Sequence, residues 1–259
     1  MKIARWLAVV GAAAGAAWGY LRWARPRHVR WGATDDEVVR PLPGDELVGR
    51  PHWNATRAVT VAATPEQIWP WLVQIGWGRA GWYGYDWVDN GGRPSAREIL
   101  PEHQHLAVGK DFPMSPWTRM YCVAFEEPRW MLWRGRPDAP GPLDGAALRD
   151  GVSPLVSSGS GQDGGALVDR AQRLVAGGGT WLWYLDPMDV GHTRLINRMR
   201  DEYRWTSPMI AAQLLTDVGD FPFNRKCLLG IKERAEALAR GEIAMPAGGA
   251  EEAPVRESL

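Results

Sequence analysis

One stretch near the front of the chain constrains the fold more than any other: Arg57-Ala-Val-Thr-Val-Ala-Ala-Thr-Pro-Glu-Gln-Ile-Trp-Pro-Trp-Leu-Val-Gln-Ile-Gly76. Val59 and Val61 alternate with Thr60, the period of a half-buried strand. Thr64 then occupies an N-cap, Pro65 the first helical position, and Gln67 completes a capping box. Ile68, Trp71, Leu72 and Ile75 fall on one helical face. Pro70 removes a helix hydrogen bond and predicts a short or kinked helix, which Gly76 ends. A second amphipathic pattern closes the chain. It runs from Phe223 to Arg240, with Phe223, Leu228, Ile231, Ala235 and Leu238 facing inward. A strand and helix in front and a long helix behind bracket a single domain.

Between these ends the pattern is mostly strands. Lys110–Met114, Met120–Phe125 and Trp130–Trp133 read as strands, the last two joined through a turn at Glu126-Glu-Pro-Arg129. Thr180–Pro187 is a strand with Trp181, Trp183 and Leu185 on one face, and Thr193–Arg200 returns beside it. Pro208–Val218 reads as a separate helix. Residues 135–179 hold eleven glycines and four prolines, which strands and helices tolerate poorly, and read as a flexible insertion. Residues 31–56, punctuated by Pro41, Pro43 and Pro51, read as an extended arm. The tail, 241–259, reads as disordered.

Composition narrows the functional class. Hydrophobic residues make up 45% and charged residues 23% of the 259 residues, as in globular proteins. Thirty basic and thirty acidic residues cancel, which argues against a dedicated nucleic-acid binder. Cys122 and Cys227 read as two reduced thiols. Sixteen tryptophans suit a cavity wall, an interface or a membrane surface.

The residues of both ends, together with Trp69-Pro-Trp-Leu-Val-Gln, Tyr83-Gly-Tyr-Asp-Trp, Thr180-Trp and Leu229-Gly-Ile-Lys, resemble the START-like polyketide cyclase/dehydrase group, also called SRPBCC. The resemblance covers 57–134 and 180–238. It implies an α+β helix-grip fold over residues 57–240, with an antiparallel sheet wrapped around a long C-terminal helix and a cavity between them. Members of the group bind lipids or hormones or cyclise polyketides, so the resemblance carries a ligand class and no fixed catalytic set. The insertion at 135–179 departs from the group's pattern and leaves the cavity mouth open to question.

Ahead of the domain, residues 1–30 form a hydrophobic helix with basic flanks. Trp6–Leu21 is uncharged and, as a helix, about 24 Å long against a hydrocarbon core of about 30 Å. Trp6, Leu7, Val9, Val10, Trp18 and Leu21 are its membrane-facing candidates, with Arg5 and Arg22 able to snorkel. A membrane anchor, a cleaved signal peptide and a surface-lying helix all fit. Arg22, Arg25, Arg27 and Arg30 favour an anchor with the following domain on the cytoplasmic side.

Three further groups of residues bear on chemistry. Gly159-Ser-Gly-Gln-Asp-Gly164 is a literal G-x-G-x-x-G with Asp186 at dinucleotide spacing, but it sits in low-complexity sequence without further strand–helix units. His103-Gln-His105 with Glu98 and Glu102 lacks a third metal ligand at suitable spacing. Neither a cofactor nor a metal is expected. Asp86 and Asp89 are the candidates for proton transfer, because an aromatic pocket raises a carboxyl pKa; the plain alternative is that Asp86 caps a turn. Tyr83, Tyr85, Trp87, Trp133, Trp183, Arg198 and Met209 are the candidate ligand-binding residues. For Arg198 a solvated outer face is the competing position. The reading is a membrane-tethered protein that binds a hydrophobic or aromatic small molecule in an internal cavity. A cyclase- or dehydratase-like enzyme and an interaction protein with a closed cavity are the alternatives.

Overall fold

The computed structural model describes residues 11–12, 14–116, 118–135, 179–202 and 210–245. Strand β1 (Trp53–Val61) leads into helix α1 (Pro65–Gln74). Then come β2 (Asp111–Pro113), β3 (Arg119–Glu126), β4 (Trp130–Gly135), β5 (Thr180–Asp189), β6 (His192–Asp201) and helix α2 (Ile210–Ala239). All neighbours pair antiparallel in one sheet ordered β1-β6-β5-β4-β3-β2. Cys227, Leu228, Ile231, Ala235 and Leu238 of α2 share one buried core with the inward side chains of the sheet and of α1. A sheet gripping a long final helix in this way is the helix-grip fold that the resemblance implied.

Local chemistry explains α1. The capping box of Thr64 and Gln67 forms, with Pro65 at the first turn. Every residue from Ile68 to Gln74 is buried, so α1 is a core helix rather than a half-exposed one. Pro70 is accommodated within its ten residues. Gly230 of α2 sets how closely the two layers meet: a Cβ there would lie 2.1 Å from the Tyr83 carbonyl oxygen. Any larger residue must push the 83–95 loop off the helix.

Three expectations change. The two C-terminal helices are one continuous helix, with Pro222 inside it. Phe223 is therefore not on the inward stripe and stands 37% exposed. The first strand begins at Trp53, whose register partner is Asp201.

The arm, finally, is an integral cover of the sheet. Ala58, Leu132, Leu182 and Ile196 form a second apolar cluster on the face opposite α2, closed by Leu42 from the arm. Along the free edge of β1, the amides of Thr56 and Ala58 donate to the carbonyls of Val29 (2.8 Å) and Trp31 (3.1 Å). Pairing in this way shields an otherwise open strand edge. Gly32, with φ of 72°, makes the next step possible, since a Cβ would collide with the Ala58 carbonyl.

Arginines of β6 hold the arm down. Arg198 donates to Asp45 (2.6 Å), to the carbonyls of Glu37 (2.6 Å) and Arg40 (3.0 Å), and to Thr56 (3.0 Å). Arg194 grips Glu37 through two contacts of 2.7 and 2.8 Å. Burial pushes the Glu37 carboxyl up, but hydrogen bonds from Arg194 and Thr34 outweigh it and hold the group below its ordinary 4.5. That contribution to stability is present above pH 4.5 and is lost as pH falls through the lower folded value.

Removing Arg198 leaves the Glu37 and Arg40 carbonyls without that donor beneath the arm, while Asp45 keeps Arg200 and the Leu42 amide, both at 3.0 Å. Arg198→Ala is expected to destabilise the protein by about 2–4 kcal/mol in urea unfolding, the cost of buried carbonyls left without donors. A loss under about 1 kcal/mol, the level of a surface ion pair, would show that the arm is only loosely held.

Candidate functional site

The inward face of the sheet combines aromatic walls with a few buried polar atoms. Trp183 on β5, Asn197 on β6 and Arg57 on β1 lie side by side across three neighbouring strands. In the next row Trp133 on β4 stands opposite Trp181, which stands opposite Met199. Phe112 from β2 stacks on Trp133 with ring centroids 4.2 Å apart. Trp82, from the loop after α1, stacks on Trp181 at 5.6 Å with planes 6° apart. Trp181 and Trp183 stack at 5.3 Å. Trp71 of α1 and Leu228 and Ile231 of α2 complete the same core.

This interior carries more hydrogen-bonding capacity than it uses. The indole N–H groups of Trp71, Trp133, Trp181 and Trp183 are buried and have no acceptor among the described residues. Arg57 is fully buried; its Nε donates to the His28 carbonyl at 2.9 Å and its Nη1 pairs with Asp220. Its Nη2 is buried with no partner among the described residues. Asn224 on α2 donates to Asn197 Oδ1 at 3.0 Å, while its own Oδ1 is buried and accepts nothing there. A buried polar atom without a partner costs about 1–3 kcal/mol, and native interiors hold few of them.

The sequence-derived candidates divide clearly. Trp133 and Trp183 meet in this interior. Tyr83 lies in the adjoining core at φ 55°, donating to the Trp71 carbonyl (3.1 Å) and accepting from Gln74 (2.9 Å). Burial pushes its phenol pKa up, and Arg234 lies 4.4 Å over its ring. Both functions of the hydroxyl are thus used in packing.

Tyr85 is on the surface, 40% exposed, edge-on to Phe223 at 5.6 Å. Trp87 is 78% exposed and forms no wall of the interior. Arg198 points to the opposite face of the sheet, where it is neither cavity-lining nor solvated but bonded to the arm. Met209 lies outside the described residues, as do Trp6, Leu7, Val9 and Val10 of the N-terminal segment and the G-x-G-x-x-G run.

The two candidate carboxylates have local structural partners. Asp86 accepts from both the amide and the hydroxyl of Ser95. Asp89 accepts from the Tyr85 amide at 2.7 Å. Burial, with Asp86 close by, raises the Asp89 pKa. Asp86 borders a separate outward-facing cleft of 420 Å³, lined also by Tyr83, Ser95, Arg97, Lys226 and Arg234. That cleft is mixed in charge and has none of the aromatic walls of the interior. Cys122 and Cys227 are free and buried, and burial pushes the Cys122 thiol up to about 11. Among the described residues no group of three His, Cys, Asp or Glu side chains is placed to hold a metal.

Three polar residues of the interior escaped the sequence reading. Arg57, Asn197 and Asn224 had one available signal: a charged side chain at Arg57 on the same strand parity as the inward Val61. Asp201, half-buried at the end of β6, accepts from the Glu202 amide at 2.8 Å. Burial pushes its carboxyl up to about 6.

No family model matches the chain, and no curated protein matches it. Its fold is similar to several solved structures. An aromatase/cyclase from a Streptomyces species is 13% identical, covering 73% of this chain and 97% of its own, with a TM-score of 0.37. A Polyketide_cyc-like protein from Corynebacterium glutamicum is 12% identical, covering 73% and 94%, with a TM-score of 0.34. A protein from Arthrobacter aurescens is 15% identical, covering 83% and 96%, with a TM-score of 0.37. Likeness this distant assigns no residue a role, and the site rests on its own geometry.

Asp201 gives a pH prediction. A carboxyl raised from 3.8 to about 6 binds its proton more tightly in the folded state. Its protonated form stabilises the fold below pH 3.8, and that contribution is lost as pH rises through about 6. Asp201→Asn should therefore stabilise the protein at pH 7 by about 1–3 kcal/mol and leave it little changed near pH 4. Equal stability of the two chains at pH 7 would place the carboxyl in water.

Proposed function

We propose that the protein binds a hydrophobic or aromatic small molecule between its sheet and α2, and that its N-terminal segment tethers it to a membrane. The observation that carries the reading is the set of buried donors without acceptors in an aromatic interior: Trp133, Trp181 and Trp183 together with Arg57 Nη2. A site of apolar walls with a few convergent polar groups is the usual chemistry of small-molecule binding.

The donors narrow the ligand further. Each indole offers one N–H and no acceptor, so the ligand must bring oxygen or nitrogen acceptors. The charge of Arg57 is already balanced by Asp220. A second carboxylate would bring an unpaired charge into the core, so a neutral carbonyl or hydroxyl oxygen is the better match. A conjugated ring system bearing carbonyl or phenolic oxygens meets both conditions.

The test is ligand retention. The full chain, isolated from its source cell in native detergent solution, should carry a discrete adduct in native mass spectrometry. Trp183→Phe keeps an aromatic ring and removes one donor, so retention should weaken about threefold to tenfold, the worth of one hydrogen bond. An unliganded mass that persists against mixtures of lipids and oxygenated aromatics would identify the interior as a closed core and the protein as an interaction module.

A further inference from the structure

We infer that residues 18–31 form a docking surface for an anionic lipid bilayer, with the tryptophans entering the headgroup layer and the arginines contacting its phosphates. This deepens the membrane half of the proposed function and is independent of what the interior holds.

The helix that leads into the domain is open to solvent over its described first turns. Residues 11, 12 and 14–18 are exposed at every position and none is charged. A helix that is apolar all round is ordinarily covered by protein or lipid. Its base is docked: the Tyr20 hydroxyl meets His28 Nε2 at 2.7 Å, the two rings stack, and His28 and Val29 are buried. The helix is thereby fixed in direction, projecting from the domain.

Around that base, apolar and basic groups are interleaved. Trp18 and Trp23 pack edge-to-face at 4.9 Å yet remain 60% and 53% exposed, with Leu21 at 60% beside them. Arg22, Arg27 and Arg30 are exposed and border an open hollow of 550 Å³ with Trp23 and Trp31. The first acidic residue of the sequence is Asp35, which pairs with Arg30, so no earlier acidic residue offsets Arg22 and Arg27. Indole rings favour the headgroup level, and arginines on a short stem of helix reach the phosphates above it.

The charge selects the occupant. A second copy of the chain would present the same arginines to this face and be repelled. An anionic bilayer satisfies both components at once, and each basic side chain strengthens binding to such a surface by about fivefold. No helix among the described residues is long and apolar enough to cross a membrane.

The test is flotation of the full chain, synthesised cell-free with vesicles of phosphatidylcholine alone or mixed with phosphatidylglycerol. The chain should float preferentially with the mixed vesicles and be partly released by salt. R22Q/R27Q should lower partitioning onto mixed vesicles about twenty-five-fold, two fivefold contributions, and leave the neutral vesicles unaffected. W18S/W23S should lower it on both. Unchanged thermal unfolding will show that the variants are folded. Equal, salt-resistant flotation with both lipids, unaffected by R22Q/R27Q, would overturn the docking surface while leaving a lipid-inserted anchor. Failure to float with either lipid would overturn both.

Discussion

A sheet that is apolar on both faces must be covered twice, and the rest of this structure follows from how that is done. α2 covers one face along a stripe from Cys227 to Leu238. The residues ahead of β1 cover the other, with Leu42 over Ile196, Leu182 and Ala58. The two covers are bonded differently. α2 is held chiefly by apolar contact, which needs no directional partner. The arm has little apolar surface and is held by Arg194 and Arg198, each supplying several donors to carbonyls and carboxylates that would otherwise be buried unpaired. A guanidinium suits that work because its donors are planar and fixed in direction.

The same sheet thus separates two kinds of arginine. On the outer face Arg198 has its donors taken up by the arm. On the inner face Arg57 has one nitrogen directed to neither the arm nor Asp220. The asymmetry matters because a buried guanidinium is expensive to desolvate and is normally matched fully. Its neighbours, Asn197 and Asn224, are joined to each other and leave one acceptor over. With the indoles of Trp133, Trp181 and Trp183 alongside, the polar groups concentrate at one part of an otherwise apolar interior. Packing alone would be served as well by phenylalanine or leucine at those positions, which bring no unpaired donor.

The N-terminal helix and the interior are mechanically close. His28 buries its ring against Phe221 of α2, and its carbonyl accepts from Arg57 Nε. The N-terminal segment and the guanidinium of the interior are therefore joined through a single residue, His28. A poorly soluble ligand gains from a site held at its source, because transfer from lipid avoids exposing apolar surface to water.

Much of the framework was legible in the sequence. The capping box at Thr64 and Gln67, the hairpin at Glu126–Arg129 and the aromatic face of β5 each depend on residues a few positions apart, and local geometry settles them. Alternation along β6 likewise sorted Arg194, Arg198 and Arg200 from Leu195, Asn197 and Met199. What alternation cannot state is which face meets α2 and which meets the arm, since both faces are covered by segments remote in sequence. For that reason Arg198 was sought in the cavity and Arg57 passed over. Tyr85 and Trp87 looked like cavity walls because aromatic residues favour burial, yet the Asp86–Asp89 turn directs them outward. By itself the sequence determined the strands, the caps and the period of each face, because those rest on short-range sterics and hydrogen bonding. Only the tertiary structure decided which side chains share the interior and which donors there lack partners, because burial and pairing are set by contacts between residues from tens to more than a hundred positions apart.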